Sequence, residues 1–497
     1  MKKYTLELIV FLSGATVMIL EIVGSRVLAP YVGTSTFVWT SIIGIILGSL
    51  SLGYWLGGKI ADKNPSFKTL SEILFIGAML IALIGLFKED VLVLLQQNIG
   101  SIKLNSIVSS FILFTLPSVV LGMVSPYAVR LKMKSVTSSG RTVGNLYALS
   151  TIGSIVGTFL AGFYLLAILG NTKILFLLTI VLLAASAISF AKNFTKGKVV
   201  LALLIVSYTV FGNFQTLNLA VGEVIDIDSD YNRIWIYEDK DYYTNSPIRN
   251  LQINSNNSSS MFIEDEKKNE LVYPYTKFYR LAEHFAPNLE TGLMIGGAAY
   301  SYPKDFLLNF PEATLDVVEI DPALTEIAKE HFELEENERL NIYHEDGRIF
   351  LNNSEKKYDV IFGDAFSGGY SIPYHLTTIE AVQKIYDALN ENGVALVNII
   401  SSIEGENGKF FRAEYYTYKE IFPQVYLFPV HYTKNTENLQ NIMLIALKSA
   451  EIPKFTNSNA ELQGYLENLY TEKVTNDLPI LTDEFAPVDQ YVMPMLK

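Results

Sequence analysis

The sequence predicts two parts of different kinds: an N-terminal bundle of α-helices that spans a membrane, then an α/β domain built on a parallel sheet. Long apolar runs fill the first 214 of the 497 residues. Short β-rich runs then alternate with amphipathic stretches between residues 293 and 400, which is typical of βαβ units. The formal charge also changes sign, from +10 over residues 1–214 to −23 over the rest of the chain.

The apolar runs of the first part have the length that a membrane span requires. Small residues at four-residue spacing allow the close helix packing that is common in lipid; the pairs are Gly44/Gly48, Gly53/Gly57 and Gly153/Gly157. We therefore predict about seven transmembrane helices, near residues 5–29, 37–58, 69–87, 106–128, 144–168, 172–191 and 199–214.

Basic residues indicate the orientation of these helices. If residue 1 lies in the cytoplasm, the predicted inner segments hold twelve Lys and Arg residues and the outer loops hold three, as the positive-inside rule requires. Seven complete spans would then place the α/β domain outside the cell. The last run, near 199–214, has only 16 residues, so the side of the membrane that this domain faces stays open.

Glycines and acids follow four successive strand-like runs of the second part. Ligands of parallel sheets bind beyond the carboxyl ends of the strands, where these residues should cluster. Paired glycines let the backbone approach a ligand closely, and a carboxylate can accept both hydroxyl protons of a ribose. The pattern predicts a nucleoside-containing ligand at Gly296, Gly297, Glu319, Asp346, Gly347 and Asp364.

Composition narrows the function further. The chain has no cysteine, so it forms no disulfide and has no thiolate chemistry, and its five histidines show no metal-ligand spacing. We therefore expect no metal. The acidic second part argues against nucleic acid as a partner and suits a cationic substrate.

Five segments of the second part resemble the spermidine synthase (aminopropyltransferase) family. They are residues 296–300, 318–322, 345–351, 358–367 and 372–378, which include the runs Gly-Gly-x-x-Tyr, Val-Glu-Ile-Asp-Pro and Ile-Pro-Tyr-His-Leu-Thr-Thr. The closest match is the bacterial branch of the family in which the enzyme is fused to a membrane part. This resemblance covers nearly the whole chain.

The resemblance implies a fold and a domain division. It implies a class I, Rossmann-like fold that binds S-adenosylmethionine (SAM), preceded by a small β subdomain that supplies part of the acceptor pocket. The expected domains are residues 1–214 (transmembrane), 215–285 (small β subdomain) and 286–497 (SAM-binding domain). Within the subdomain, the uncharged run from Asn254 to Ser260 is also compatible with a flexible loop.

The resemblance also assigns roles to residues. Gly296 and Gly297 match the glycine turn, Glu319 matches the ribose carboxylate, and Asp346 with Gly347 matches the adenine contact. Asp364 matches the catalytic aspartate, and Ala365 beside it is expected to contact the ligand. We expect the rest of the substrate pocket to be formed by Tyr273, Tyr275, Tyr300 and Ser367.

The amine half of the family's site is altered. The acid that would hold the aminopropyl ammonium falls on Ala299, and the second acid of the catalytic motif falls on Ser367. A further segment of the family carries an acid and a glutamine. The matching segment in this sequence, Ile253 to Ser258, has neither. Because a buried ammonium without a partner costs several kcal/mol, these changes disfavour a diamine.

We therefore hypothesise first that the protein is a SAM lyase. The carboxylate of SAM would attack its own γ-carbon, releasing 5'-methylthioadenosine and homoserine lactone, a step that needs positioning more than acid–base help. Three alternatives remain: aminopropyl transfer from decarboxylated SAM to a polyamine, a non-catalytic sensor of SAM or methylthioadenosine, and methyl transfer. SAM or decarboxylated SAM is the expected substrate.

The expected location and partners follow from both parts. We predict an integral protein of the bacterial inner (cell) membrane whose partners are membrane lipid and a small nucleoside substrate. A homodimer is kept as a candidate assembly.

Overall fold

The protein is described by a computed structural model. It covers residues 4–33, 35–63, 65–133, 139–191, 195, 197–200, 224–254, 256–366, 370–431 and 435–496. Two compact units are present: the first holds the long N-terminal helices and the second holds both β-sheets. Each unit has its own hydrophobic core.

Long apolar helices make up the first unit. They are α1 (Thr5–Val32), α2 (Thr36–Lys63), α3 (Phe67–Asn98), α4 (Ile102–Gly122), α5 (Val124–Lys132), α6 (Ser139–Leu160), α7 (Leu166–Ile168) and α8 (Asn171–Phe190), with a π-helical turn at Ala161–Leu165 before α7. Six segments in the described part of the chain are long and apolar enough to cross a membrane. Most of the seventh predicted run, near 199–214, lies outside the described residues, because residues 201–223 are not among them. The number of spans therefore stays a prediction.

Close packing of these helices depends on some of the glycines for which the sequence predicts a packing role. A Cβ atom added at Gly153 would lie 2.1 Å from the carbonyl oxygen of Phe11, and one at Gly53 would lie 2.2 Å from that of Val119. The backbones of α6 and α1, and of α2 and α4, therefore touch. Gly44 and Gly48 differ, since a Cβ atom there would meet nothing within 4 Å.

The second unit contains a seven-stranded mixed sheet in the order β10-β11-β9-β8-β5-β6-β7. Five strands are parallel, as the sequence predicts, and β11 and β10 extend one edge in antiparallel pairing. The strands are β5 (Thr291–Ile295), β6 (Thr314–Val318), β7 (Leu340–Tyr343), β8 (Tyr358–Gly363), β9 (Leu389–Ser401), β10 (Gln424–Pro429) and β11 (Gln440–Leu447).

Short helices connect the strands of this sheet. They are α9 (Pro274–Phe278), α10 (Ala282–Phe285), α11 (Ser301–Asn309), α12 (Pro322–His331), α13 (Gly347–Asn353), α14 (Ile379–Ala388), α15 (Lys409–Ile421), α16 (Ala460–Leu466) and α17 (Val488–Val492). Capping side chains fix where several of them begin. Asp321, for example, accepts the backbone N–H of Ala323 at the start of α12, which satisfies a donor that has no partner within the helix.

A smaller four-stranded sheet precedes this fold, in the order β1-β2-β3-β4. Its strands are β1 (Ile225–Asp228), β2 (Arg233–Lys240), β3 (Pro247–Ile253) and β4 (Asn256–Phe262). Most of the Asn/Ser-rich run at 254–260 is therefore a strand, although its composition is typical of loops. Antiparallel pairing with β3 satisfies its backbone.

One buried acid stands out in the core of the second unit. Glu414 on α15 is 1% exposed, and its Oε2 atom has no hydrogen-bond partner. Its side chain faces a small apolar cavity lined by residues such as Ile361, Ile385 and Tyr418. Burial raises the pKa of this carboxyl well above its usual value, because an ionised group would lose its hydration.

Glu414→Gln is expected to stabilise the protein at pH 8 and to leave its stability nearly unchanged at pH 4. Above about pH 4.5 the unfolded chain releases the Glu414 proton whereas the folded chain retains it, so stability falls as the pH rises. Thermal melting of both proteins between pH 4 and pH 8 measures the difference. A gap between the two proteins that does not widen with pH would contradict the assignment of a neutral Glu414.

Gly153→Ala is expected to lower the melting temperature of the detergent-purified protein, because overpacking costs about 1–3 kcal/mol. Gly144→Ala on the same helix is the matched control. A Cβ atom there meets nothing within 4 Å, and alanine is favoured over glycine in a helix by about 1 kcal/mol. Equal melting temperatures for the two variants would exclude backbone contact between α1 and α6.

Candidate functional site

A cavity of about 770 Å³ opens at the carboxyl ends of the parallel strands. Residues that follow β5, β6, β7 and β8 form one wall, and residues of β2, β3 and β4 form the opposite wall. Of the predicted site residues, those that line the cavity are Tyr273, Tyr275, Gly296, Gly297, Glu319, Asp346, Gly347, Asp364 and Ala365.

The turn after β5 requires its glycines. Gly296 has a φ angle of +97°, and a Cβ atom added there would lie 2.5 Å from the carbonyl oxygen of Asp364. Only glycine adopts this conformation without strain and tolerates so short a distance. At Gly297 an added Cβ would lie 2.9 Å from the ring of Tyr300. The turn therefore brings the backbone after β5 directly against the backbone after β8.

Glu319 holds this turn in place. Its Oε2 atom accepts the backbone N–H groups of Gly297 at 2.8 Å and Ala298 at 3.0 Å, and its Oε1 atom accepts that of Asp321 at 3.0 Å. Burial raises the pKa of Glu319, and these three hydrogen bonds oppose the increase. A carboxylate has about four lone-pair positions, so about one acceptor position remains for a hydroxyl group of a ligand in the cavity.

Asp346 begins helix α13 and faces the same cavity. Its Oδ1 atom accepts the backbone N–H groups of Arg348 and Ile349, and its Oδ2 atom lies 2.9 Å from Nε2 of His375. Gly347 follows, and a Cβ atom there would lie 2.6 Å from a methyl group of Ile295. Asp346 is therefore already engaged by the protein, and its side chain is oriented before any ligand binds.

Asp364 lies at the end of β8 on the cavity floor. Its Oδ1 atom accepts a hydrogen bond from Nδ2 of Asn398 at 2.9 Å, and its Oδ2 atom accepts one from the hydroxyl of Tyr275 at 3.2 Å. Burial raises the pKa of Asp364 to about 6, although hydrogen bonds from Asn398, Tyr275 and Tyr279 lower it. The group is thus an effective proton acceptor near neutral pH.

Two stacked tyrosines connect Asp364 with the smaller sheet. The rings of Tyr275 and Tyr273 lie 6.1 Å apart with an interplanar angle of 18°. The hydroxyl of Tyr273 accepts a hydrogen bond from Ser260 on β4 at 2.8 Å. Burial raises the pKa of both phenols above 10, so both keep their protons at neutral pH.

Two residues of the sequence argument do not face the cavity. The side chain of Tyr300 is fully buried, and its hydroxyl hydrogen-bonds to that of Thr325 at 2.7 Å; it supports the glycine turn from below. Ala299 is also fully buried and belongs to an apolar cluster with Ile234 and Leu324. Its lack of charge is therefore explained by packing, which weakens the argument that an acid was lost from the pocket at this position. Ser367 lies outside the described residues.

Comparison with known proteins agrees with this geometry. Residues 280–453 match the family model described as spermine/spermidine synthase domain. This segment, about a third of the chain, is a domain of the spermidine synthase family. The chain is 28% identical over 243 residues to a polyamine aminopropyltransferase from Vibrio vulnificus, a match that covers 46% of this chain and 78% of that protein.

Two further similarities belong with this family. A probable polyamine aminopropyl transferase from Bifidobacterium longum is 26% identical over 276 residues, which cover 51% of this chain and 61% of that protein. A crystal structure of a probable spermidine synthase from Corynebacterium glutamicum is 20% identical with a TM-score of 0.41, covering 50% of this chain and 86% of the other. The family-model match, together with the seven-stranded mixed sheet, confirms the predicted Rossmann-like domain for the C-terminal part.

Asn398 and Asn441 also belong to the site, although the sequence pattern did not predict them. Asn398 is 1% exposed, and its Oδ1 atom accepts a hydrogen bond from Nδ2 of Asn441 at 2.9 Å. This bond fixes the orientation of the Asn398 amide, so that its N–H group faces Asp364. One signal could have found it, since Asn398 is the only polar residue in the run from Val394 to Ile400.

The wall opposite Asp364 is uncharged. Every residue between 232 and 276 that lines the cavity has a neutral side chain. The carboxamides of this wall, which we call the amide wall, are those of Asn232, Gln252, Asn254, Asn256 and Asn257. Over the described part of the chain, no group of three or more His, Asp or Glu side chains could hold a metal ion.

Glu319→Gln is expected to weaken binding of 5'-methylthioadenosine at least tenfold, since a hydrogen bond to a charged group is worth about 1.5–3 kcal/mol. The amide would also place an N–H group next to the backbone N–H groups that donate hydrogen bonds to the carboxylate in the wild type. Isothermal titration calorimetry measures the affinity. Glu335→Gln, an equal change of charge at an exposed position, is the control and should bind normally; similar affinities for the two variants would place the ribose elsewhere.

Proposed function

We propose that the protein transfers the aminopropyl group of decarboxylated SAM to an amine and releases 5'-methylthioadenosine. The observation that carries this proposal is Asp364, a carboxylate with a pKa of about 6 on the floor of a nucleoside-sized cavity. Family membership adds to it, because the relatives from Vibrio vulnificus and Bifidobacterium longum are named as aminopropyltransferases.

The nucleoside would bind along the ends of β5, β6 and β7. Glu319 would accept a ribose hydroxyl with its remaining lone pair, and Gly296 and Gly297 would allow the sugar to approach the backbone. Asp346 and Gly347 would face the adenine, and Ala365 offers an apolar contact beside Asp364. The sulfonium and its aminopropyl chain would then extend toward Asp364 and Tyr275.

The chemical step needs one proton acceptor. The nitrogen of the neutral acceptor amine attacks the aminopropyl carbon attached to sulfur, so that a C–N bond forms as the C–S bond breaks. The electron pair of the C–S bond moves to sulfur, and the sulfonium becomes the neutral thioether of methylthioadenosine. The new ammonium group releases its proton to Asp364, which Asn398 and Tyr275 hold in place.

SAM cleavage without an acceptor is the second candidate. The neutral amide wall favours it, since amide N–H groups can bind the carboxylate of intact SAM, whereas an acidic wall would repel it. In this reaction the SAM carboxylate attacks its own γ-carbon, and Asp364 would hold the α-ammonium. It ranks below aminopropyl transfer because the buried position of Ala299 removes one of its original arguments.

We also propose that the first unit anchors the enzyme in the cell membrane of a bacterium, as in the membrane-fused branch of the family. Six long apolar segments support this placement. Retention of the protein in the membrane pellet after alkaline carbonate washing would agree with it. Release into the supernatant would contradict it.

A product assay on the detergent-purified protein tests both candidates. Three mixtures contain SAM alone, decarboxylated SAM alone, and decarboxylated SAM with an amine, and mass spectrometry follows methylthioadenosine. Product in the third mixture only supports aminopropyl transfer. Methylthioadenosine with homoserine lactone from SAM alone supports the lyase instead, and no product in any mixture contradicts both.

Asp364→Asn is expected to abolish turnover and to leave binding of methylthioadenosine within about threefold, because the amide keeps the shape of the carboxylate but accepts no proton. In the wild type, kcat/KM should rise with pH through about 6 as Asp364 loses its proton, and then level off. Steady-state rates between pH 5 and pH 9 measure this. An active Asp364→Asn enzyme would show that another group accepts the proton.

A further inference from the structure

We propose that the amide wall selects an acceptor with a single amine, whose other polar groups are uncharged hydroxyl or amide groups, in preference to a diamine. This inference rests on the proposed aminopropyl transfer and names the substrate class for it. The observation behind it is the distribution of charge around the cavity, which is unequal between the two walls.

The acidic side chains that line the cavity are Glu319, Glu345, Asp346 and Asp364, and all four follow strands of the parallel sheet. Three of them follow β6 and β7, where the nucleoside would bind. Asp364 alone follows β8, and it is needed at the reacting nitrogen. Among the described residues of the cavity, no carboxylate remains for a second ammonium group of the acceptor.

The far end of an acceptor would meet the amide wall. From Asp364 the cavity continues along the stacked rings of Tyr275 and Tyr273, and a hydrogen bond joins Tyr273 to the buried Ser260 on β4. Gln252 on β3 and Asn257 on β4, which also line the cavity, are cross-strand partners. An acceptor whose amine lies at Asp364 therefore places its other end against neutral carboxamides.

Hydrogen bonds fix the direction of these carboxamides. The hydroxyl of Tyr237 donates to Oδ1 of Asn257 at 2.7 Å, and Nε2 of Gln252 donates to the carbonyl oxygen of Asn254 at 3.1 Å. Asn254 donates to Asn232 at 2.9 Å. The wall is therefore an ordered neutral surface that offers both donors and acceptors, which suits a hydroxyl or amide group.

Desolvation decides between the two acceptor classes. When an ammonium enters a site without a counter-charge, the loss of its hydration costs several kcal/mol of free energy. Hydrogen bonds to a neutral carboxamide offset only part of this cost. A hydroxyl group loses far less, and one hydrogen bond to the wall offsets it. Two compounds of equal length separate these cases: 4-aminobutan-1-ol has a hydroxyl where putrescine has its second ammonium.

Calorimetry at pH 8 tests the inference on full-length protein saturated with 5'-methylthioadenosine. We expect 4-aminobutan-1-ol to bind about tenfold more tightly than putrescine, which corresponds to about 1.4 kcal/mol. Asn257→Asp should reverse the order, because aspartate still accepts the Tyr237 hydrogen bond and adds a charge to the wall. Asn337→Asp is the matched control: Asn337 is exposed, its Oδ1 atom accepts the N–H of Arg339, and the wild-type order should persist.

Tighter or equal binding of putrescine by the wild type overturns the inference, as does an Asn257→Asp variant with unchanged preference. Failure of both compounds to bind also overturns it. The proposed function is tested separately by adding decarboxylated SAM. If the binding preference holds but decarboxylated SAM is not consumed, aminopropyl transfer is wrong while the selectivity of the wall stands.

Discussion

The carboxylate of Glu319 is the constraint on which the rest of the site depends. It joins the end of β6 to the turn after β5 by accepting backbone N–H groups from both segments. Left-handed backbone at Gly296 and Ala298 persists because the surrounding hydrogen bonds over-determine it. The backbone of Asp364 lies directly against Gly296, so the turn that Glu319 holds also contacts the end of β8. The nucleoside side and the reactive side of the cavity are thus positioned together.

Much of this arrangement could be predicted from the sequence, for a physical reason. Strand ends of a parallel sheet converge on one edge, so Gly296, Glu319 and Asp364 could be placed in one site from the order of apolar runs alone. The direction of individual side chains could not. Tyr300 has a φ angle of +56° and points into the core, and no periodic pattern predicts which way a residue in such a turn faces. The Asn/Ser-rich strand β4 was equally hard to predict, because its pairing with β3 overrides its composition.

Overall charge does not show how charge is distributed within the cavity. The second part of the chain is strongly acidic, and this composition suggested a cationic substrate. In the structure many of these acids are neutralised by neighbours: Asp305 by Arg280, Asp477 by Arg412, and Asp316 by Lys356. The cavity itself has an acidic wall and a neutral wall. Specificity therefore depends on which strand supplies each side chain, and the net charge of the second part does not contain this information.

The antiparallel edge of the large sheet has a consequence for the active site. Asn398 on β9 contacts Asp364 and is oriented by Asn441 on β11, where Asn441 pairs with Ile400 in the strand register. A slip of one residue between these strands would turn Asn441 to the opposite face of the sheet. The amide of Asn398 could then rotate and direct its oxygen at Asp364. Correct register between β9 and β11 is therefore a condition for a competent proton acceptor.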